Sequence, residues 1–160
     1  MMAHFHIYPD SKSALHTASY ACNFRQLLRY LDYYSDRLDP GDFIRVIIGF
    51  WTDFASVPRL LPIMYAWLSG KFRGPATLHD FTYRDDATTV KGMPISKELG
   101  DDLLYESCLV WRPDCPVAAW SMYQGVRVGG HSSYGKKGIL WVPEFYNNLI
   151  IKEGDLCGNQ

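Results

Sequence analysis

Asp39-Pro40-Gly41-Asp42 constrains the fold of this chain more than any other short stretch. Proline presets one turn torsion and glycine accepts the left-handed one, so the chain must reverse here. An apolar run lies on each side. Phe43 to Ile48, FIRVII, is short and rich in β-branched residues and reads as a buried strand closed by Gly49. The preceding run, NFRQLLRYLDYYSDRL over 23–38, is ambiguous alone, since Leu27, Leu28, Leu31 and Tyr34 also fit one helical face. A tight turn between two apolar runs favours a hairpin, and that makes the earlier run extended as well.

Beyond the hairpin the pattern changes to helical. Ser56 is placed as an N-cap, with Val57 and Pro58 in the first turn of a short apolar helix over 59–68 interrupted by Pro62. Pro75 opens a second helix, PATLHDFTYRDD, in which His79 and Tyr83, and Asp80 and Arg84, are i, i+4 pairs. The longest helix starts at Ser96, SKELGDDLLYESCLVW. Its internal Gly100 implies close packing against another backbone, because glycine there costs about 1 kcal/mol relative to alanine. A last helix over 117–128 ends at Gly129-Gly130, and two short extended segments, ILWV and NLII, follow. Residues 1–20 read as an irregular arm carrying His4, His6 and His16. The expected fold is α+β in a single domain: a small antiparallel hairpin or sheet from the N-terminal third, packed on three or four helices.

Composition excludes several functions. With 160 residues, 48% hydrophobic and 21% charged, the chain is long enough and apolar enough to bury a core. A net charge of −1 without a basic run argues against nucleic-acid binding. No apolar stretch approaches the ~20 residues that span a bilayer, and the first residues lack a signal-peptide pattern. A soluble protein without membrane insertion is expected. Cys22, Cys108, Cys115 and Cys157 fit no zinc spacing and read as reduced thiols. The 15% aromatic content favours surfaces that contact partners.

Four elements recur in order: Gly49-Phe50-Trp51-Thr52-Asp53-Phe54-Ala55-Ser56-Val57-Pro58-Arg59; His79-Asp80-Phe81-Thr82-Tyr83; Ser96-Lys97 with Asp101; and Tyr123-Gln124-Gly125-Val126-Arg127-Val128-Gly129-Gly130. Together, over roughly residues 40–130, they resemble the phage and prophage family known as domain of unknown function 1353. The resemblance implies a phage-encoded protein of the host cytoplasm or the virion, acting with other phage proteins, with a host protein, or as a homo-oligomer.

The candidate site is a His/carboxylate centre of Asp53, His79, Asp80 and Asp101, drawn from three elements. One imidazole with carboxylates suits a divalent cation such as zinc, manganese or magnesium, with His79, Asp53 and Asp101 as ligands. Such a cation would supply a hydroxide nucleophile for hydrolysis of a cell-wall peptide or a nucleotide. Without metal, His79 held by Asp53 or Asp101 could serve as a general base. Against this stands a buried polar network that fixes three elements to one another, with Asp53 and Ser56 capping a turn and a helix. The expected function is a virion, assembly or host-interaction protein. The alternatives are a His/Asp or metal-dependent hydrolase and an anti-defence binder with an aromatic pocket.

Overall fold

Strands come first and helices after, as the order of apolar patterns predicts. The computed structural model describes residues 2–7, 17–19, 25–52 and 71–135. The expected cap at Ser56, the helix over 59–68 and the extended segments ILWV and NLII lie outside these residues. The described strands are β1 His4–Ile7, β2 Thr17–Ser19, β3 Arg25–Leu27, β4 Leu31–Tyr34, β5 Ile44–Val46 and β6 Trp51–Thr52. The helices are α1 Arg73–Thr82, α2 Lys97–Trp111 and α3 Pro116–Gly129, and a 3₁₀ turn, Gly130–Ser132, closes α3. The architecture is α+β.

The strands form two antiparallel three-stranded sheets, ordered β1-β4-β5 and β2-β3-β6. The hairpin set by Asp39 to Asp42 is the β4–β5 pair, with Leu31 opposite Val46 and Tyr33 opposite Ile44. Gly41 takes φ 75°, the left-handed torsion that the turn requires. The stretch expected to be an irregular arm contains β1 and β2 instead. β1 pairs with β4 in the register Phe5 to Tyr33, and Phe5 packs against the Tyr33 and Trp111 rings. Its sequence, His-Phe-His-Ile, alternates polar and apolar but over four residues only, so pairing and aromatic contact must add to propensity to hold it extended. His4 stacks on Tyr34 at 4.7 Å and Tyr34 on Phe43 at 4.8 Å, which ties the three strands of this sheet together on its other face.

Two apolar clusters share α2. Leu27, Leu31, Tyr33, Ile44, Val46 and Phe50 of the sheets meet Leu78 and Phe81 of α1 and Leu103 of α2. Leu104 and Cys108 of α2 meet Ala118, Ala119, Met122 and Val126 of α3, with Phe72 below them. Each fully buried large side chain contributes roughly 1.5–3 kcal/mol relative to exposure. α2 is therefore a wall with one apolar cluster on each side. Its start is fixed by Ser96, whose hydroxyl accepts from the Leu99 N–H at 3.2 Å, and Glu98 sits in the first turn where the helix dipole favours a carboxylate.

α1 and α2 run antiparallel at close range. Trp111, at the end of α2, lies against Gly74 at the start of α1, and Thr82, at the end of α1, lies against Gly100. The close approach that the internal glycine implied is thus present. A methyl group at position 100 would stand 2.9 Å from Thr82 Oγ1. That hydroxyl is buried and donates to the His79 carbonyl at 2.9 Å, so it cannot swing away freely. Gly100→Ala is predicted to destabilise the protein by about 1–3 kcal/mol through overpacking, despite the better helix propensity of alanine. Chemical denaturation checks this, and a double-mutant cycle with Thr82→Ala should show coupling that recovers part of the loss.

Candidate functional site

His79 projects from α1 toward α2, where it meets Asp101. His79 Nε2 lies 3.4 Å from Asp101 Oδ1. The Tyr83 hydroxyl, one turn after His79, donates to the same oxygen at 2.5 Å, and the two rings sit 4.0 Å apart. Lys97, one turn before Asp101, donates to Oδ2 at 2.7 Å and to the Val126 carbonyl of α3 at 3.3 Å. Arg127 Nη1 approaches Oδ2 to 3.8 Å. The Asp101 side chain has 0% exposure and His79 is 2% exposed. The result is a carboxylate surrounded by donors from three helices in a closed interior.

Proximity of this kind sets the protonation states. Burial pushes the Asp101 carboxyl up, but hydrogen bonds from His79, Lys97 and Tyr83 together outweigh it and bring it down to about 2. Burial and the bond to this carboxylate push the Tyr83 phenol far above its ordinary value, so it remains a donor. At neutral pH the hub is therefore an anion held by an ammonium, a phenol, an imidazole nitrogen and a more distant guanidinium. Breaking such a buried pair by removing one partner typically costs about 3–5 kcal/mol.

Other parts of the chain are shaped to complete the hub. A Cβ at Gly130 would overlap the Tyr83 hydroxyl, so only glycine lets the turn after α3 close over that ring. Tyr134 then stands edge-on to Tyr83 at 5.5 Å and donates to the Ile95 carbonyl at 2.8 Å. The Gly135 N–H donates to the Tyr83 carbonyl at 3.0 Å.

The four candidate residues separate in space. His79 and Asp101 converge. Asp80, next to His79 on α1, points a different way because neighbouring helical residues diverge by about 100°. It accepts a hydrogen bond from the Thr52 hydroxyl of β6 and is partly exposed. The Arg84 guanidinium lies over the Phe50 ring at 5.5 Å. Asp53 follows Thr52 directly in sequence and lies outside the described residues, as does Ser56. His131, in the 3₁₀ turn, is exposed. Among the described residues no three His, Cys, Asp or Glu side chains form a group that could hold a metal.

Tyr83, Lys97 and Arg127 belong to the hub but not to the candidate set. The signals for the first two were in the sequence: Lys97 to Asp101 and His79 to Tyr83 are both i, i+4 pairs. Nothing local connects Arg127, which reaches the hub only because α3 packs on α2. A second tier lies outside it. The buried Tyr33 hydroxyl donates to Glu106 at 2.8 Å, Arg37 bridges Glu106 and Asp102 at 3.2 and 2.9 Å, and Tyr123 donates to Asp102 at 3.2 Å.

The fold and hub define a small α+β domain whose helices are joined through one buried carboxylate. The family described as "Protein of unknown function (DUF1353)" matches residues 26–126. The chain belongs to that family. The match begins earlier than the motifs alone suggested, inside β3, and takes in β4 and the hairpin. No curated protein and no solved structure matches the chain. No helix among the described residues is long and apolar enough to cross a membrane.

Asp101 gives a prediction about pH. Its folded-state pKa, about 2, is below the ordinary carboxylate value. Its contribution to stability is therefore complete above about pH 4 and lost as pH falls toward 2. Thermal unfolding followed between pH 2 and 5 should show this slope in the parent protein. Asp101→Asn should flatten it and lower stability at pH 7 by about 3–5 kcal/mol, because Lys97 is left buried without its counter-ion.

Proposed function

We propose that this is a phage-encoded accessory protein that works through protein–protein contacts, in the virion, in its assembly or on a host protein. The observation that carries this reading is the outer side of α3. Val117 is 75% exposed, Trp120 54% and Val128 80%. Large apolar side chains grouped along one helix face are costly in water and are typical of contact surfaces, where tryptophan is enriched. The closed hub supports the same reading from within. Its ionisable groups are engaged with one another, and the imidazole is nearly without solvent exposure.

Phage carrying Trp120→Ser with Val128→Asp tests the proposal. The substituted protein is expected to fold normally, since neither side chain is buried, and to be lost from purified virions or from its complex in infected cells. Quantitative mass spectrometry of virions and of affinity-purified complexes reads the outcome. Undiminished incorporation and undiminished complexes would refute the contact reading.

A hydrolase centred on His79 is the second reading. It is favoured by the His79–Asp101 bond, which orients an imidazole as a base-and-orienter pair does. His79→Gln retains a hydrogen-bonding side chain while removing the base. On this reading it lowers peptide or nucleotide hydrolysis at least ~100-fold with the melting temperature nearly unchanged. Equal loss of fold and activity, or no activity in the parent protein, would leave the hub a purely structural device.

A further inference from the structure

We infer that residues 130–135 are a latch that opens locally and controls the access of water and small solutes to the His79–Asp101 pair, while the helices beneath stay folded. The latch works in the same way whether the hub serves structure or chemistry.

Tyr83 lies between this segment and the pair. Its ring stands 4.0 Å from the His79 ring, its hydroxyl rests on Asp101, and it is 6% exposed. The turn after α3 covers it in three ways. Gly130 lies against the Tyr83 hydroxyl, the Tyr134 ring stands edge-on at 5.5 Å, and the Gly135 N–H donates to the Tyr83 carbonyl at 3.0 Å. From solvent inward the order is therefore the turn, then the phenol, then the imidazole and its carboxylate. His131, Ser132, Tyr134 and Gly135 are all exposed, as an outermost layer must be.

The latch is lightly held. Among the described residues, none from 130 to 135 belongs to either apolar cluster. Tyr134 is the one large apolar side chain in the stretch, and its hydroxyl donates to the Ile95 carbonyl at 2.8 Å. Segments fixed by few apolar contacts and a few exposed hydrogen bonds open at a small fraction of the global unfolding free energy. The helices below are held instead by fully buried Leu103, Leu104 and Met122.

Gly129 supplies the hinge. The Tyr83 hydroxyl accounts for Gly130, but packing does not account for its neighbour. A Cβ at position 129 would meet nothing within 4 Å, and φ there is −99°, which any residue adopts. Glycine at this point weakens the end of α3 and contributes backbone freedom where the helix gives way to the latch. At the far end Gly135 takes φ 74°. Lids commonly turn on a few such torsions at the ends of elements.

Carbethoxylation of His79 by diethyl pyrocarbonate, followed by peptide mass spectrometry on the full chain, reads the opening, with exposed His131 as internal standard. In the parent protein the His79 rate should stay flat in dilute urea, because a local opening exposes little surface. Tyr134→Ala should raise that rate at least ~10-fold with the helical circular dichroism unchanged. Gly129→Ala, placed in open space, should lower it at least ~2-fold by stiffening the hinge. A parent rate that climbs with urea as steeply as global unfolding overturns the inference. So does a Tyr134→Ala protein in which His79 reacts no faster, or a Gly129→Ala protein in which it reacts no slower. Should Tyr134→Ala fail to fold, Tyr134→Phe, which loses only the bond to Ile95, takes its place and must still accelerate the reaction at least ~3-fold.

Discussion

Taking the Asp101 carboxylate out of water is costly, by several kcal/mol after relaxation, and the arrangement of the helices compensates for it. The donors come from α1, from the preceding turn of α2 and from α3. Withdrawing any one helix would leave the anion short of partners in an apolar interior. The carboxylate thus couples three packing relationships that hydrophobic contact alone would leave free to slide. Hydrophobic burial supplies magnitude without direction. A buried anion with fixed donors specifies where each helix must stop.

That coupling explains the glycines beside it. The Tyr83 hydroxyl can reach Asp101 only if the end of α1 lies close to the start of α2, and Gly100, immediately before Asp101, permits it. The turn after α3 must then pass over the same ring, and Gly130 permits that. Gly100, inside α2, would stabilise an isolated helix better as alanine. Their smallness makes sense only in the assembled domain, where backbone and ring approach closely. The adjacent Asp102 has a different task. It faces outward, where Arg37 and Tyr123 bind it, so consecutive aspartates serve an inner and an outer network.

Much of the fold was legible because its signals are local. The turn at Asp39 to Asp42 dictated a hairpin, Ser96 announced the start of α2, and Gly129-Gly130 marked the end of α3. The hub was half legible. His79 and Asp101 stood out as chemical types, and their convergence followed once two helices were expected to pack. β1 and β2 were missed because their strands exist through pairing with β4 and β3, and such long-range pairing leaves little trace in a short local pattern. Arg127 was missed for the same reason: its role depends on which face of α3 meets α2.

The His79-Asp80 pair shows how chemical type can mislead when direction is ignored. Adjacent in sequence, the two look like one acid–base unit. On a helix they diverge, and each enters a different contact, one with Asp101 in the interior and one with Thr52 of β6. The same logic applies to the last motif, Tyr123 to Gly130. Val126 and Gly130 face α2 and the hub, and Arg127 reaches toward the hub from a partly exposed position, whereas Val128 between them looks outward. A motif written as a linear string thus contains two surfaces with unrelated duties. Its inward residues account for the fold. Any recognition by this helix must be carried by the outward ones, which the folding of the domain leaves free to vary in size and polarity.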